Sequence, residues 1–232
     1  MQRLTPQLPT RDGDPDPNRQ VELLNFHTLD YLISDDAGIG FSATGGWALN
    51  PWERDGSRSE LRDPYFRTYF LNLLPDWGSD FPLYWYADVR VHPGVTTTSR
   101  DADQIWGIQV FQAWTWQATN SRWGAAFYLS FRQNFFGSQG LGIRRELYSS
   151  PGLFFRHNSR LTSSLLLQLP TFQRLGSEGN RWETMGLDLE PGLSWDLLQN
   201  LNLTPFLTIP VSGTTNRLKG TSLGLTLSWN WF

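Results

Sequence analysis

From Leu223 to Trp231 the chain alternates without a break. Leu223, Leu225, Leu227, Trp229 and Trp231 fall on one side of an extended strand, with Gly224, Thr226, Ser228 and Asn230 on the other. A side-chain period of two marks a β-strand with one apolar and one polar face. Four more stretches repeat it. Residues 39–47 set Ile39, Phe41, Ala43, Gly45 and Trp47 against Gly40, Ser42, Thr44 and Gly46; residues 83–92 set Leu83, Trp85, Ala87, Val89 and Val91 against Tyr84, Tyr86, Asp88, Arg90 and His92. Residues 123–132 oppose Trp123, Ala125, Phe127, Leu129 and Phe131 to Gly124, Ala126, Tyr128, Ser130 and Arg132, and residues 201–209 oppose Leu201, Leu203, Pro205, Leu207 and Ile209 to Asn202, Thr204, Phe206 and Thr208. Which face meets which environment then decides the fold.

Less regular strands are expected near 63–75, 104–117, 141–157, 159–170 and 183–198, with either "SSPG" or "RHNSR" turning the chain between the third and fourth. Connections alternate in length: "LPDWGSD", "ATNS" and "LLQNL" are tight, whereas "NPWERDGSRSELRDP", "HPGVTTTSRDAD", "FQRLGSEGNR" and "SGTTNRLKG" are long and polar. Residues 1–20 hold four prolines and no apolar period, which predicts a disordered tail ahead of a single domain over 21–232. The segment "VELLNFHTLDYLIS" fits neither period cleanly and could be a strand or a short amphipathic helix.

Both a soluble β-sandwich and a transmembrane barrel alternate in this way. Composition separates them. Charged residues are 18% of the 232, below the ~25% of an ordinary soluble domain, while aromatics reach 15% with 12 Trp. A sandwich core about 10 Å thick has little room for so many indole N–H groups in need of partners. At the edge of a bilayer the ring is buried and the N–H stays wet. Trp47, Trp85, Trp123, Trp229 and Trp231 lie toward the ends of apolar stripes, as a membrane-interface girdle requires, and Trp52, Trp77 and Trp182 lie in or beside turns. The five clean apolar faces carry no charge, and Lys, the usual solubilising residue, is almost absent. Each Arg or Lys on a lipid-facing barrel wall costs about 2–4 kcal/mol at the midplane. The expectation is an all-β, antiparallel transmembrane β-barrel.

With this architecture, "LEPGLSWDLLQNLNLTPFLTIPVSG" followed by "TSLGLTLSWNWF" resembles the last three strands of bacterial outer-membrane β-barrel proteins, especially small porin-like channels. The resemblance spans residues 37–232. It implies a place in the bacterial outer membrane, contact with membrane lipid and lipopolysaccharide, and delivery to the outer-membrane assembly machinery through the C-terminal strand. Two features depart from the pattern: Phe232 is out of phase with the stripe, and Pro205 removes a ladder bond, so a bulge is expected there. Counting back from a periplasmic C-terminus gives ten strands from Ala37. Even parity then makes "VELLNFHTLDYLIS" the helix at the periplasmic mouth, with twelve strands as the rival count. No ~18-residue apolar run or secretory-signal pattern is present, so an exported chain would be the mature form.

The lining expected on the polar faces is Arg67, Tyr69, Asp88, Arg90, His92, Gln109, Tyr128, Arg132, Arg144, Glu146, Arg156, Asp188, Glu190 and Asp196. Both signs of charge around a lumen fit passive diffusion of small polar solutes or ions through a narrow channel. An ion-paired plug is the alternative, since eight strands hold side chains and sixteen leave a channel. The strands 201–209, 223–231 and 39–47 carry mostly Gly, Ser, Thr and Asn inward, which argues for open space. Competing classes are a barrel-embedded lipid hydrolase or protease and a structural or adhesive barrel. "RHNSR" places His157 and Ser159 as in the His-x-Ser element of outer-membrane phospholipases, and His92 with Asp101 and Asp103 is the candidate set for proteolysis. No catalytic residue is assigned and no enzyme activity expected. With Cys 0, His 3 and a net charge of −3, no metal centre, cofactor or nucleic-acid partner is expected.

Overall fold

The structure is a computed structural model that describes residues 2–5, 22–34, 38–49, 59–71, 82–117, 120–138, 143–174, 182–184, 186–212 and 221–229. Among these the elements are β1 (Gln2–Thr5), β2 (Glu22–Ser34), β3 (Ile39–Leu49), β4 (Ser59–Phe70), β5 (Leu83–Pro93), the short helix α1 (Thr97–Asp101), β6 (Gln104–Gln117), β7 (Trp123–Phe136), β8 (Ile143–Arg156), β9 (Leu161–Arg174), β10 (Glu183–Thr184), β11 (Leu187–Leu198), β12 (Leu201–Ser212) and β13 (Ser222–Trp229). All the strands form one antiparallel sheet in which chain neighbours pair, and β1 pairs with β13 as well as with β2. β10 and β11 lie along the same edge of β9 and are one strand interrupted before Gly186, whose φ of 127° suits glycine alone. Counted so, the sheet has 12 strands, an arrangement compatible with a β-barrel.

Two expectations need correction together. The segment 22–34 is a strand, not a helix at the mouth: Phe26, Thr28 and Asp30 pair with Gly46, Thr44 and Ser42 of β3, so period two holds even though the opposite face mixes His27 and Tyr31 with Leu29. Parity is restored by residues expected to be a tail, since Gln2–Thr5 form β1 beside β13. The expected ten strands become 12. The rest of the expected tail, residues 1 and 6–20, lies outside the described residues. β2 pairs with β3 from Leu23 to Ser34 and with β1 from Glu22 to Asn25, and Leu29, past the β1 pairs, is 79% exposed.

Pro205 was expected to force a bulge, but the pairs Leu201↔Trp229 to Thr208↔Ser222 keep one register. The strand accommodates the missing N–H without adding a residue. The strand expected at 63–75 lies at Ser59–Phe70, and the connection after it, Leu71–Pro82, is as long as the loops at the other end. The chain turns at 157–160, so "SSPG" is inside β8. Gln2, Trp229 and most of the short connections share one end of the sheet; the longer connections, apart from that after β4, join strands at the other.

The faces are inverted relative to a water-soluble protein. Ser42, Asp88 and Ser150 are fully buried, with Thr44, His92, Ser130, Asn134 and Thr226 nearly so. On the other face Phe41, Phe66, Val89, Val91, Val110, Phe127, Phe131, Leu153 and Leu165 are exposed. In antiparallel pairing, directly opposed residues share a face. Val89↔Val110 and Val110↔Phe131 therefore extend one apolar surface across β5, β6 and β7, and Leu153↔Leu165 continues it from β8 to β9.

On the buried face, large side chains sit opposite glycines. The registered pairs Tyr69–Gly40, Phe26–Gly46, Phe154–Gly124, Leu166–Gly152 and Phe206–Gly224 each place a bulky group where a Cβ on the glycine would have to be. The rings lie flat along the wall instead of projecting from it, a known partnership of aromatic and glycine across strands. Gly224→Val should push the Phe206 ring off the wall and lower the denaturant midpoint by an amount equivalent to about 1–3 kcal/mol. Ser222→Val, one step along the same face, should cost less; equal effects would remove the packing explanation.

Candidate functional site

The buried polar face carries a band of hydrogen bonds that crosses most of the sheet. Its densest part begins on β2, where Asp30 accepts from Arg67 Nη2 at 3.0 Å. Arg67, on β4, also donates through Nε to Ser42 at 2.5 Å and through Nη1 to the Tyr86 hydroxyl at 3.3 Å. Tyr86 in turn donates to Asp88 Oδ2 at 2.8 Å. Asp88 then receives Arg90 bidentately, Nε and Nη2 each at 2.7 Å. Acid and base alternate along Asp30, Arg67, Asp88 and Arg90, and the fully buried one, Asp88, meets a guanidinium, while Asp30 lies exposed at the other end of the series. Arg67 stacks over Tyr69, 5.2 Å from the ring centre, and Arg90 over Tyr65 and Phe111 at 5.4 and 5.0 Å. Tyr69, Tyr86, Phe111 and Tyr128 follow one another at 6.0–6.5 Å between ring centres.

The band continues in neutral and mixed steps. His92 Nε2 meets Gln109 Oε1 at 2.9 Å, and Gln109 donates to Ser130 at 2.7 Å, linking β5, β6 and β7. Arg132 donates through Nε to Asn134 at 2.8 Å, and Asn134 donates to Glu146 at 3.2 Å. Glu190 on β11 accepts from Gln168 at 2.5 Å and Thr208 at 3.4 Å; Asp196 accepts from Asn202 at 2.7 Å. Carboxylates on this side meet amides and hydroxyls, whereas Asp30 and Asp88 meet guanidinium groups.

Arg67, Tyr69, Asp88, Arg90, His92, Gln109, Tyr128, Arg132, Glu146, Asp188 and Glu190 all lie on the buried polar face. Arg156 and Asp196 share that register but are exposed near the end with the short turns. Arg144 departs from it, because the β8–β9 register shifts between Ile143 and Arg145 and puts Arg144 in the irregularity. Among the aromatics, Trp85, Trp123 and Trp229 lie on the apolar face toward the short-turn end and Trp47 toward the long-loop end. Trp231, Trp52, Trp77 and Phe232 lie outside the described residues. Trp114, Trp116 and Trp195 join the first group and Trp106 the second. Trp85 stacks on Trp114 at 6.1 Å and Trp106 on Phe135 at 4.1 Å, while Trp123 meets Phe155 at 4.8 Å with the rings tilted.

Asp30, Arg62, Asp63 and Tyr65 were not among the residues read from the sequence. Asp30 was hidden in the segment taken as a helix. Arg62 lies past the point where β4 breaks step with β3, between Thr44 and Gly46, so strict alternation misassigns it, and Asp63 falls in the break; Tyr65, opposite Thr44, keeps the phase of Arg67 and Tyr69 and was not singled out. β4 pairs with β5 only over Phe66–Phe70, and above this the two strands part. In the opening Asp63 accepts the N–H groups of Val95 and Thr96 at 3.0 and 2.9 Å and the Ser99 hydroxyl, tying the loop that holds α1 to β4. A cavity of about 510 Å³ results, lined by Tyr65, His92, Arg132, Gln104 and Glu60 among others.

The pairings suggested for catalysis are arranged differently. His92 turns to Gln109 and packs at a tilt against Tyr65, 5.2 Å between ring centres. His157 Nε2 lies 3.1 Å from Ser163 Oγ, not Ser159, and the pair is exposed beside Phe155. Compared with protein-family models and with curated proteins, the chain matches none.

Removing one partner of a buried ion pair leaves the other uncompensated, at about 3–5 kcal/mol. Asp88→Ala should lose that much in denaturant unfolding. Asp88→Asn, which keeps an acceptor for Tyr86 or Arg90, should lose less. A near-neutral Asp88→Ala would mean that Asp88 does not hold the band together.

Proposed function

We propose that the sheet closes into a transmembrane β-barrel of the bacterial outer membrane, and that the buried polar face lines a narrow channel for passive diffusion of small polar solutes or ions. One observation carries the reading: the apolar face is exposed and free of charge almost throughout, while the charged face is buried. In water such an arrangement loses the hydrophobic contribution of every exposed Val, Leu and Phe. In a bilayer it is the required one, because a closed barrel alone satisfies strand-ladder groups in hydrocarbon.

The aromatic groups support the same placement. From Trp106 to Trp114 is about 27 Å along the strand at ~3.4 Å per residue, or about 21 Å along the axis at ~40° tilt. From Trp123 to Phe135 the same arithmetic gives about 31 Å. These bracket the apolar band of about 25 Å expected of such barrels. Pairing of β1 with β13 and of β8 with β9 favours closure. Rings lying flat on glycines favour a lumen with free cross-section. Arg67 on β4 and Arg90 on β5 face Asp188 and Glu190 on β11 across a barrel in which these strands stand nearly opposite, so a permeating ion meets both signs and selectivity is weak.

The purified chain should fold only with detergent or lipid, migrate heat-modifiably in electrophoresis and give discrete current steps in planar bilayers. A monodisperse folded protein in plain buffer would end the membrane reading; silent bilayers from a heat-modifiable protein would end the channel reading alone. Asp188→Lys should shift permeability toward anions with little change in folding. Val110→Arg, at mid-height on the lipid face, should reduce folded yield in vesicles by the equivalent of about 2–4 kcal/mol.

A further inference from the structure

Within the registered pairs from β3 to β13 of the described residues, the apolar face carries a single charged side chain, Arg145. It stands opposite Gln133 on β7 and Gln173 on β9. Its Nε donates to Gln133 Oε1 at 2.8 Å, and the Gln133 amide donates to the carbonyls of Asn134 and Arg144 at 2.8 and 3.2 Å. Gln133 is thus held by the backbone at the start of β8 and in turn fixes the plane of the guanidinium. Among the described residues no carboxylate forms an ion pair with Arg145.

The location is specific. Gln133 is one outward-facing step from Phe135, whose ring stacks on Trp106 at 4.1 Å and 9° between planes, near the long-loop end. Beside it lies a cavity of about 470 Å³ lined by Gln133, Phe135, Phe136, Arg144 and Arg145. Two adjacent arginines, one oriented by a fixed amide, border an aromatic-walled hollow on a face otherwise made for acyl chains. A guanidinium is costly in hydrocarbon but nearly free at the headgroup level, where its stem reaches up to a phosphate that matches its planar fork.

We propose that Arg145, positioned by Gln133 and assisted by Arg144, binds the phosphate of an anionic lipid headgroup at the long-loop rim, with Phe135 and Trp106 packing against the lipid's first methylenes. The proposal rests on the lipid-facing reading given above and adds to it a specific headgroup site.

The test uses the full chain folded in dodecyl maltoside and titrated in native mass spectrometry with dihexanoyl phosphatidic acid, dihexanoyl phosphatidylcholine or inorganic phosphate. Phosphatidic acid should bind at least about 10-fold more tightly than phosphatidylcholine, as charge-assisted hydrogen bonds warrant, and inorganic phosphate should displace it poorly. Arg145→Gln should remove the preference and Gln133→Leu should weaken it several-fold. Arg145→Lys should retain part of it. Conductance and heat-modifiable migration should not change in any of them, which also shows that the variants fold. Equal binding of both lipids, or a preference that survives Arg145→Gln in heat-modifiable protein, overturns the site while leaving the barrel standing. Displacement by inorganic phosphate at comparable concentration makes it a free-anion site and overturns the lipid assignment. Folding in plain buffer is a different failure, that of the membrane reading itself.

Discussion

Backbone N–H and C=O groups need partners wherever water is scarce, and in this chain strand-to-strand pairing is what supplies them. From β2 to β13 nearly every described residue is committed to a ladder, and residues 2–5 extend it to the chain's beginning. Once the backbone is satisfied in this way, side chains have only two directions to point. Alternation then sorts the protein into an apolar and a polar face with no separate hydrophobic centre, and all of the chemistry collects on the second.

Packing so many charges and hydroxyls together is expensive unless each finds a partner. Asp88 shows how the cost is met: it is fully buried yet accepts three hydrogen bonds, from Tyr86 and twice from Arg90. Glycines serve the same face differently. By giving Tyr69, Phe154 and Phe206 somewhere to lie, they let a chain rich in aromatics keep large rings flat against its polar side.

Much of this was legible from residue order. The five cleanly alternating stretches all prove to be strands within the described residues, and β6 falls on 104–117 as expected. What was lost follows from the same rule. Where β4 slips a residue against β3, Arg62 leaves the alternation that Tyr65, Arg67 and Tyr69 keep, and counting in twos puts it on the wrong face. β2 was obscured because its outward residues include His27, a mixed face that alternation alone does not report. Four residues at the beginning are too few for any periodicity, so β1 had no signal, and the parity argument that favoured a helix depended on its absence. Most of the polar-face residues needed only alternation to be found, whereas Arg144 sits where the register shifts and escaped it.

A register defined by two hostile environments also guards against misthreading. If the exposed wall meets lipid, as proposed, a strand that slid by a single position would turn Asp88 and Arg90 toward acyl chains and Val89 and Val91 inward among guanidinium groups, and both errors would be penalised at once. Soluble sheets with one bland face tolerate slippage far better. The chain therefore carries, in the contrast between its two sides, its own proofreading of strand alignment during assembly.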